Sequence, residues 1–343
     1  MTITLKDIAK ISGVSSATVS RVLSDDPRIS EATRKKVLAR IQESGYRIND
    51  IARSLRTRRT NTIGFIAPRL AEEFFMTVAQ GVEDELRPHG YHMLIGSSKE
   101  DPAIEKECID LMSRRWVDGF ILIPCSGDGA HLAKLTRNRI PCVLVDRLVT
   151  GFPADAVVVD NALATKAALA RLMERGITRI GFIGANETFS TARERYRGYM
   201  EAHRDHGIPI DPDIVKVGDF HLESGFALMR ELDGMKRPVE GVFIANHYMY
   251  LGAARYLLES GAAYRRELAI VNFDEMSATP VIRLARITIS QPSHEIGAHA
   301  ARMILGRLNG ERTGPPETVT LATGLVTRDS RHSDTGDNAG HKT

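Results

Sequence analysis

Three polar residues each stand directly after an apolar, strand-like segment of the sequence. They are Asp146 after PCVLV, Asn246 after GVFIA and Asp274 after AIVNF. Carboxylate and amide groups bind polar molecules through hydrogen bonds, and ligands of open α/β sheets collect at the carboxyl ends of the strands. The pattern predicts a binding site for a small polar molecule, although each residue taken singly could also be an ordinary strand-end cap.

Sequence signatures of catalysis or of a metal are missing. The patterns GxGxxG, GxxxxGK[ST], HExxH and GxSxG do not occur. Cys108, Cys125 and Cys142 are too few and too scattered for a disulfide framework or a CxxC clip. His203 and His206 have a metal-compatible spacing, but the sequence around them does not support a metal site. We therefore expect no cofactor, no metal and no catalytic residue.

The composition is that of an ordinary globular protein. Of 343 residues, 43% are hydrophobic and 26% are charged, which argues against general disorder. The sequence contains no run of about 18 apolar residues, the length needed to span a membrane. The start MTITLKDIAK lacks the apolar core of a secretion signal. We expect a soluble, cytoplasmic protein of two or three domains that does not bind membranes.

The charge is unevenly distributed along the chain. Residues 1–62 contain 13 Lys and Arg against 6 Asp and Glu, a balance of +7, whereas the remainder contains 33 against 37, a balance of −4. A small basic segment joined to a mildly acidic body indicates that the first 60 residues meet a polyanion.

The basic segment begins with two short helices joined by a tight corner. Thr4 and Asp7 form a capping box, and Gly13 is suited to end the first helix. Ser15 or Ser16 is expected to cap the second helix.

A third helix and a linker complete this segment. The helix is predicted from Ser30 as its cap to Gly45 as its end, which gives a helix-turn-helix layout. Residues 47–61 contain five arginines and few apolar residues. Because so short a helix is marginal in water, we expect this linker to fold only on a partner.

From residue 62 onward, apolar strands alternate with segments of helical length, which predicts parallel sheets covered on both faces. The predicted strands are 62–67, 91–96, 118–123, 141–145, 179–184, 241–245 and 268–273. About 270 residues favour two lobes with a cleft between them. The polar residues 329–343 are predicted to form a disordered tail.

These residues resemble the LacI/GalR family of transcriptional regulators. The motif that carries the resemblance is LKDIAKISGVSSATVSRVL at 5–23, followed by Gly45-Tyr46 and Ala52-Arg-Ser-Leu55. Similarity continues through Ile63-Gly64-Phe65, Val145-Asp146-Arg147, Ile244-Ala245-Asn246, Phe273-Asp274 and Gln291-Pro292, and it covers residues 3–328.

The resemblance implies an N-terminal all-α helix-turn-helix head and a two-lobed α/β body like a periplasmic binding protein, with two doubly wound parallel sheets. The expected parts are a head at 1–47, a hinge helix or linker at 48–61, and an effector-binding and dimerisation domain at 62–328. The N-lobe would comprise about 62–161 and 292–322, and the C-lobe about 162–291 and 323–328. Reading a two-fold operator requires a homodimer, and the tail lacks the leucine heptads of a tetramer.

The same resemblance assigns residues to double-stranded operator DNA. Ser16, Ala17 and Arg21 stand at base-reading positions, and Ser20 also points outward. The residues suited to phosphate contacts are Thr4, Ser15, Thr18 and Asn49. The alternative is a solvated helix with an ordinary surface arginine.

The linker is implied to read the minor groove. Leu55 from each subunit would wedge into a central CG step with Arg56 beside it, and Ala52 would share the contact surface. Alternatively, Leu55 packs onto the body.

The resemblance also places a small-molecule effector in the cleft, typically a sugar held by planar charged groups and aromatic faces. The implied residues are Phe74, Phe75, Asp146, Arg147, Arg195, Phe220, Asn246, His247, Asp274 and Gln291. His247 stands where the family often has Asp, which suggests a sugar acid or sugar phosphate unless His247 is only a structural partner.

The implied function is repression of a carbohydrate-related operon from the nucleoid of a bacterium, with effector binding either releasing or tightening the operator. The alternative is a sugar- or nucleotide-metabolising enzyme with a basic N-terminal appendage.

Overall fold

The structure, a computed structural model, describes residues 3–23, 26–45, 59–114, 117–265 and 267–328. The chain divides into two compact units, Met1–Thr60 and Asn61–Thr343. Among the described residues, no helix combines the length and the apolar character needed to cross a membrane. The predictions for most of the linker, including Asn49, and for the tail at 329–343 fall outside these ranges.

The first unit contains helices α1 (Leu5–Ser12), α2 (Ser16–Leu23) and α3 (Glu31–Ser44). Their caps confirm the sequence prediction: Thr4 and Asp7 form the reciprocal capping box, and Gly13 ends α1 in the left-handed conformation at φ 63°. Ser30 caps α3, which ends at Gly45 with φ 66°. A small core holds the three helices together and consists of Ile8, Ala9, Val19, Val22 and Val37.

The second unit is built of alternating strands and helices. Its strands are β1 (Thr62–Ala67), β2 (His92–Ser97), β3 (Gly119–Leu122), β4 (Cys142–Val145), β5 (Asp155–Val159), β6 (Ile180–Ala185), β7 (Val215–Gly218), β8 (Gly241–Ile244), β9 (Ala269–Phe273), β10 (Ala285–Ser290), β11 (Thr318–Leu321) and β12 (Gly324–Thr327). Its helices are α4 (Glu73–Leu86), α5 (Pro102–Arg114), α6 (Ala133–Arg137), α7 (Asn161–Met173), α8 (Ser190–Asp205), α9 (Leu222–Asp233), α10 (His247–Glu259), α11 (Ala262–Arg265), α12 (Thr279–Ile282) and α13 (Ser293–Leu308).

Two six-stranded sheets divide this unit into lobe 1 and lobe 2. The described strands run in the order β11-β5-β4-β3-β1-β2 in lobe 1 and β12-β10-β9-β8-β6-β7 in lobe 2. All pairings are parallel except that between β10 and β12, which is antiparallel. The predicted doubly wound parallel architecture is confirmed, with this one antiparallel edge.

The chain passes between the lobes after β5, after β10 and after β11. The cores follow this division, because α13 packs on the lobe 1 sheet while α7 packs on the lobe 2 sheet. The central strands are almost completely buried on both faces, which explains their continuous apolar sequences. The carboxyl ends of both sheets therefore face a shared cleft.

Candidate functional site

In the helical unit, α2 has one buried and one open face. Val19 and Val22 lie in the small core, whereas Ala17 and Arg21 are exposed and Ser16 and Ser20 are partly exposed. This orientation leaves the first turns of α2 and the Arg21 side chain accessible to a partner.

Ser15, rather than Ser16, is the cap of α2. Its hydroxyl accepts a hydrogen bond from the backbone N–H of Thr18 at 3.1 Å. Thr4 likewise caps α1 and donates its hydroxyl to Asp7 at 2.7 Å. Thr4, Ser15 and Thr18, which were predicted to contact phosphates, thus order the starts of α1 and α2. The N–H groups in the first turn of a helix favour an anion nearby.

A cavity that is partly open to solvent lies between the lobes. All ten predicted effector residues line it. The lining comprises Glu72, Glu73, Phe74, Phe75, Glu100, Asp146, Arg147, Thr191, Arg195, Phe220, Asn246, His247, Tyr248, Asp274, Met276 and Gln291.

Asp146 and Asp274 occupy matching positions at the ends of β4 and β9. Both have left-handed backbones, with φ 67° and φ 78°. Their N–H groups donate to the carbonyl oxygens of Val157 and Ile289, each at 3.0 Å. Such a backbone is uncommon outside glycine, and these hydrogen bonds to the neighbouring strands hold the two carboxylates at the cavity.

Arg195 is fixed within lobe 2. Its Nε donates to Asn161 Oδ1 at 2.8 Å, and its Nη1 donates to the Ala245 carbonyl oxygen at 2.5 Å. The guanidinium carbon lies 3.6 Å from the centre of the Phe273 ring, which favours the cation. A fork held at two nitrogens presents its third nitrogen to a ligand with little freedom to lose.

Arg147 is held less completely. Its Nη1 donates to the Pro124 carbonyl oxygen at 3.2 Å, and its guanidinium lies over the Phe189 ring of lobe 2 at 4.4 Å. Its Nε is buried without a hydrogen-bond partner among the described residues, and Asp146 Oδ2 lies 3.4 Å from it.

Asn246 supports the cavity wall. Its Oδ1 accepts from the backbone N–H of Met249 and caps α10, while its Nδ2 donates to the Phe220 carbonyl oxygen, both at 3.0 Å. Phe220 has φ 69°. The asparagine amide is thus used to place Phe220, whose ring faces the cavity.

His247 is buried beside Thr279, with its Nδ1 3.5 Å from the threonine hydroxyl. Burial lowers the pKa of the imidazole, although Asp274 and Glu73 oppose this effect. The ring is therefore neutral near pH 7 and does not add a positive charge to the cavity.

Contacts across the mouth of the cleft hold the lobes together. Glu73 accepts hydrogen bonds from the Ser277 N–H at 2.9 Å and from its hydroxyl at 2.7 Å. The Tyr248 hydroxyl donates to the Ala71 carbonyl oxygen at 3.1 Å, and the Leu148 N–H donates to Ser190 Oγ at 2.9 Å. The cleft is closed in this structure.

Comparisons with known proteins match both units. Residues 4–49 match the family described as bacterial regulatory proteins, lacI family, and residues 169–331 match the periplasmic binding protein-like domain. The HTH-type transcriptional regulator RegA of Clostridium saccharobutylicum is 32% identical over 331 residues, which are 96% of this chain and 99% of that protein. The transcriptional repressor CytR of Escherichia coli K12 is 32% identical over 91% of each chain.

The chain belongs to the LacI family. It is a DNA-binding transcriptional regulator.

Solved structures agree with this assignment. The transcriptional regulator CelR in complex with cellobiose is 31% identical, with a TM-score of 0.71 over 95% of this chain and 99% of that one. The lac repressor dimer bound to operator and ONPF has a TM-score of 0.83 over 96% of this chain and 98% of that one. At 23% identity, this second match supports the shared fold alone.

Six residues line the cavity of this LacI-family regulator without having been predicted from the sequence. They are Glu72, Glu73, Glu100, Thr191, Tyr248 and Met276. Thr191 precedes Arg195 by one helical turn, and Met276 follows Asp274 by two residues, so helical spacing and sequence proximity could have indicated both. Glu73 and Glu72 stand one and two residues before Phe74, so sequence proximity could have indicated them as well, whereas Glu100 carries no comparable signal.

The glutamates change the charge of the cavity. Together with Asp146 and Asp274, they make five carboxylates against the two guanidinium groups of Arg147 and Arg195. Burial raises the pKa of Glu72 to about 7, with Arg69 and Arg147 opposing the shift. Burial also raises the pKa of Asp146.

The structure describes the predicted DNA-contact residues of the head. They are Thr4, Ser15, Ser16, Ala17, Thr18, Ser20 and Arg21. The remaining predicted DNA contacts, at Asn49, Ala52, Leu55 and Arg56, lie outside them.

Proposed function

We propose that this regulator represses a carbohydrate-related operon as a homodimer, and that a sugar-like effector in the cleft controls its operator affinity. The observation that carries the proposal is the convergence of all ten predicted effector residues, from both lobes, on one cavity. An effector that touches both lobes changes the free energy of closing them, and any coupled shift in the head then changes operator affinity. The proposal includes the domains predicted from the sequence, which are a head at 1–47, a linker at 48–61 and an effector-binding and dimerisation domain at 62–328.

The effector is a polyhydroxylated, uncharged sugar in this account. Carboxylates and forked arginines bind pairs of hydroxyl groups, and Phe74, Phe75 and Phe220 supply apolar faces. Five carboxyl groups beside two arginines favour the hydroxyl groups of an uncharged sugar over the acidic group of a sugar acid or sugar phosphate, and neutral His247 supplies no further cation. The relative solved with cellobiose supports the same ligand class.

Operator recognition is proposed for the open face of α2. Arg21 would bond guanine O6 and N7, Ala17 and Ser16 would contact neighbouring base edges, and the capped helix starts at Thr4 and Ser15 would hold phosphates. Asn49, Ala52, Leu55 and Arg56 would contact DNA from the linker.

The dimer surface is proposed on the body. Leu94 and Ile95 on the edge strand β2 and Leu111 on α5, which packs against β2, are exposed in lobe 1. Exposed apolar side chains on adjacent elements favour a protein contact.

Selection of DNA from a random pool at two salt concentrations tests the DNA-binding part. We expect a pseudo-palindrome with two half-sites to be enriched at both concentrations. Sequence-independent binding that disappears with salt would contradict operator recognition.

A thermal-shift screen of uncharged sugars beside their matching sugar acids and sugar phosphates tests the effector. Stabilisation by an uncharged sugar supports the proposed class. Stabilisation confined to the acids or phosphates would contradict it.

A further inference from the structure

A buried group of potential metal ligands lies in lobe 1, in residues that the proposed function does not use. Glu105 comes from α5, Cys125 follows β3, and His131 lies in the 3-10 turn Ala130–Leu132. One carboxylate oxygen, the thiol sulfur and one imidazole nitrogen all lie within 4.8 Å of one another.

The electrostatics of this group are incomplete without a cation. Glu105 is fully buried, and its carboxylate accepts hydrogen bonds from the Cys125 N–H at 3.0 Å and from His131 Nε2 at 2.7 Å. The imidazole is its ion-pair partner among the described residues, and it carries charge only when protonated. Buried carboxylates in proteins are usually paired with a cation or bound to a metal.

The neighbouring side chains are consistent with an open ligand position. The Ser98 hydroxyl is fully buried beside the Cys125 thiol, its hydrogen-bonding neighbour, and has no other partner among the residues that the structure describes. Burial and Glu105 together raise the pKa of the Cys125 thiol.

We propose that Glu105, Cys125 and His131 bind one divalent transition-metal ion, of which Zn²⁺ is the best match. Carboxylate, thiolate and imidazole are the three ligand types that Zn²⁺ takes in proteins, and three such ligands leave a fourth position for Ser98 or water. The mixed nitrogen and sulfur set selects against Mg²⁺ and Ca²⁺.

Metal binding by these three residues releases one proton and leaves the site with no net charge. The thiol loses its proton to solvent as the sulfur–metal bond forms, and the imidazole moves its hydrogen to Nδ1 so that Nε2 can bind. One thiolate and one carboxylate then neutralise the 2+ ion, which suits a buried position.

The position of the site relates it to the effector cavity. Cys125 follows Pro124, whose carbonyl oxygen accepts from Arg147. Two residues further on, a Cβ at Gly127 would lie 2.1 Å from the Thr188 carbonyl oxygen of lobe 2, so the backbones of the two lobes touch there. The loop that carries two of the ligands thus also contacts the opposite lobe.

Titration of the metal-free full chain with Co²⁺ tests the proposal. We expect one equivalent to give near-ultraviolet absorption from a thiolate ligand, which stoichiometric Zn²⁺ abolishes. C125S should lack this absorption, and C142S, which removes a cysteine outside the cluster, should keep it.

Two further variants keep the test independent of any folding defect in C125S. E105Q retains an oxygen acceptor for the Cys125 N–H but loses the charge, and H131Q removes the imidazole. Each should weaken Co²⁺ binding by roughly 100-fold or more, since even residues that only support a ligand typically cost 10–100-fold. Thiolate absorption that persists in C125S, Co²⁺ affinity unchanged in both E105Q and H131Q, or no saturable absorption in the wild type would overturn the proposal.

Discussion

The two lobes present matching pairs of residues to the cleft, but they hold them differently. In lobe 2, Asp274 accepts a hydrogen bond from Gln291 Nε2 at 2.5 Å, and its backbone carbonyl oxygen accepts from Asn272 at 2.7 Å. In lobe 1, Asp146 faces Arg147 at 3.4 Å. The carboxylate of lobe 2 therefore accepts a short hydrogen bond from its own lobe, whereas that of lobe 1 has a longer ion pair with its neighbour Arg147.

The arginines repeat this difference. Arg195 stacks on Phe273 of its own lobe, whereas Arg147 reaches across the cleft to Phe189. Opening the cleft would leave Arg195 in place and would remove the stacking partner of Arg147. Lobe 2 thus offers a preformed half-site, and lobe 1 completes the site on closure.

The largest expected effect separates the two arginines. Arg195→Lys should lower the free energy of unfolding by about 2–3 kcal/mol, because one ammonium cannot replace two buried hydrogen bonds and a ring contact. Arg147→Lys should cost about 1 kcal/mol, since it loses one longer hydrogen bond, at 3.2 Å, and a more distant ring contact, at 4.4 Å. Urea denaturation measures both, with Arg197→Lys, half-exposed on the same helix as Arg195, as the control. Equal losses for Arg195→Lys and Arg147→Lys would remove the proposed asymmetry.

The aspartates should differ in effector binding. Asp274→Asn should weaken binding of the sugar found in the screen by about 2 kcal/mol, the usual worth of a hydrogen bond to a charged group. Asp146→Asn should cost about 1 kcal/mol, because that carboxylate is less firmly held before the ligand arrives. Isothermal titration calorimetry measures both losses. A larger loss for Asp146→Asn would reverse the assignment of the preformed half-site.

Contacts across the cleft should contribute less. Ser277→Ala removes one of the two hydrogen bonds to Glu73 and should weaken effector binding by about 1 kcal/mol or less, through a more open unbound state. Small-angle scattering should show a larger radius of gyration for the unbound variant and an unchanged radius with the sugar bound. Ser260→Ala, on a lobe 2 turn away from the cleft, is the control. An unbound variant as compact as the wild type would show that this contact does not hold the cleft closed.

The last prediction concerns how the stability of the folded state depends on pH. The pKa of Glu72 is raised to about 7 by burial, so the folded state holds its proton where the unfolded state has released it. Stability from this group is complete below its ordinary pKa of 4.5 and is lost as the pH rises through about 7. Glu72→Gln should therefore gain stability relative to the wild type between pH 5 and 8, by about 1 kcal/mol since water reaches the cleft mouth. Glu107→Gln, an exposed residue, should show no such trend. A gain as the pH falls would contradict the assignment.

Most of the fold followed from the sequence because the central strands are buried on both faces and read as continuous apolar segments. Strands β7, β10, β11 and β12 were not predicted, and neither was strand β5. Strand β5 begins at Asp155, a polar residue. Its carboxylate is nevertheless buried, because Arg307 donates two hydrogen bonds to it, from Nε at 2.7 Å and from Nη2 at 2.8 Å. A partner 152 residues away leaves no local signal.

The residues of the candidate site also divide into those that the sequence indicates and those that it does not. Asp146, Asn246 and Asp274 were predictable because strand ends are visible in a sequence. Glu72 and Glu100 were not predicted; they lie in connections of lobe 1, just before α4 and three residues after β2, and not directly after a strand. The full set of charged groups in the cavity, on which the proposal of an uncharged ligand rests, needed the structure.

The central claim is that a ligand in the cleft controls the head. Operator affinity with and without the sugar, measured by fluorescence anisotropy on wild type and Asp274→Asn, tests it most directly. A shift of about 5–150-fold is expected in the wild type. In Asp274→Asn we expect the same affinity in the absence of sugar and a clearly smaller shift at the lowest sugar concentration that saturates the wild type, with the full shift reached only at about 30-fold more sugar. An equal shift in both proteins at that lowest concentration would place control of the operator outside the cleft.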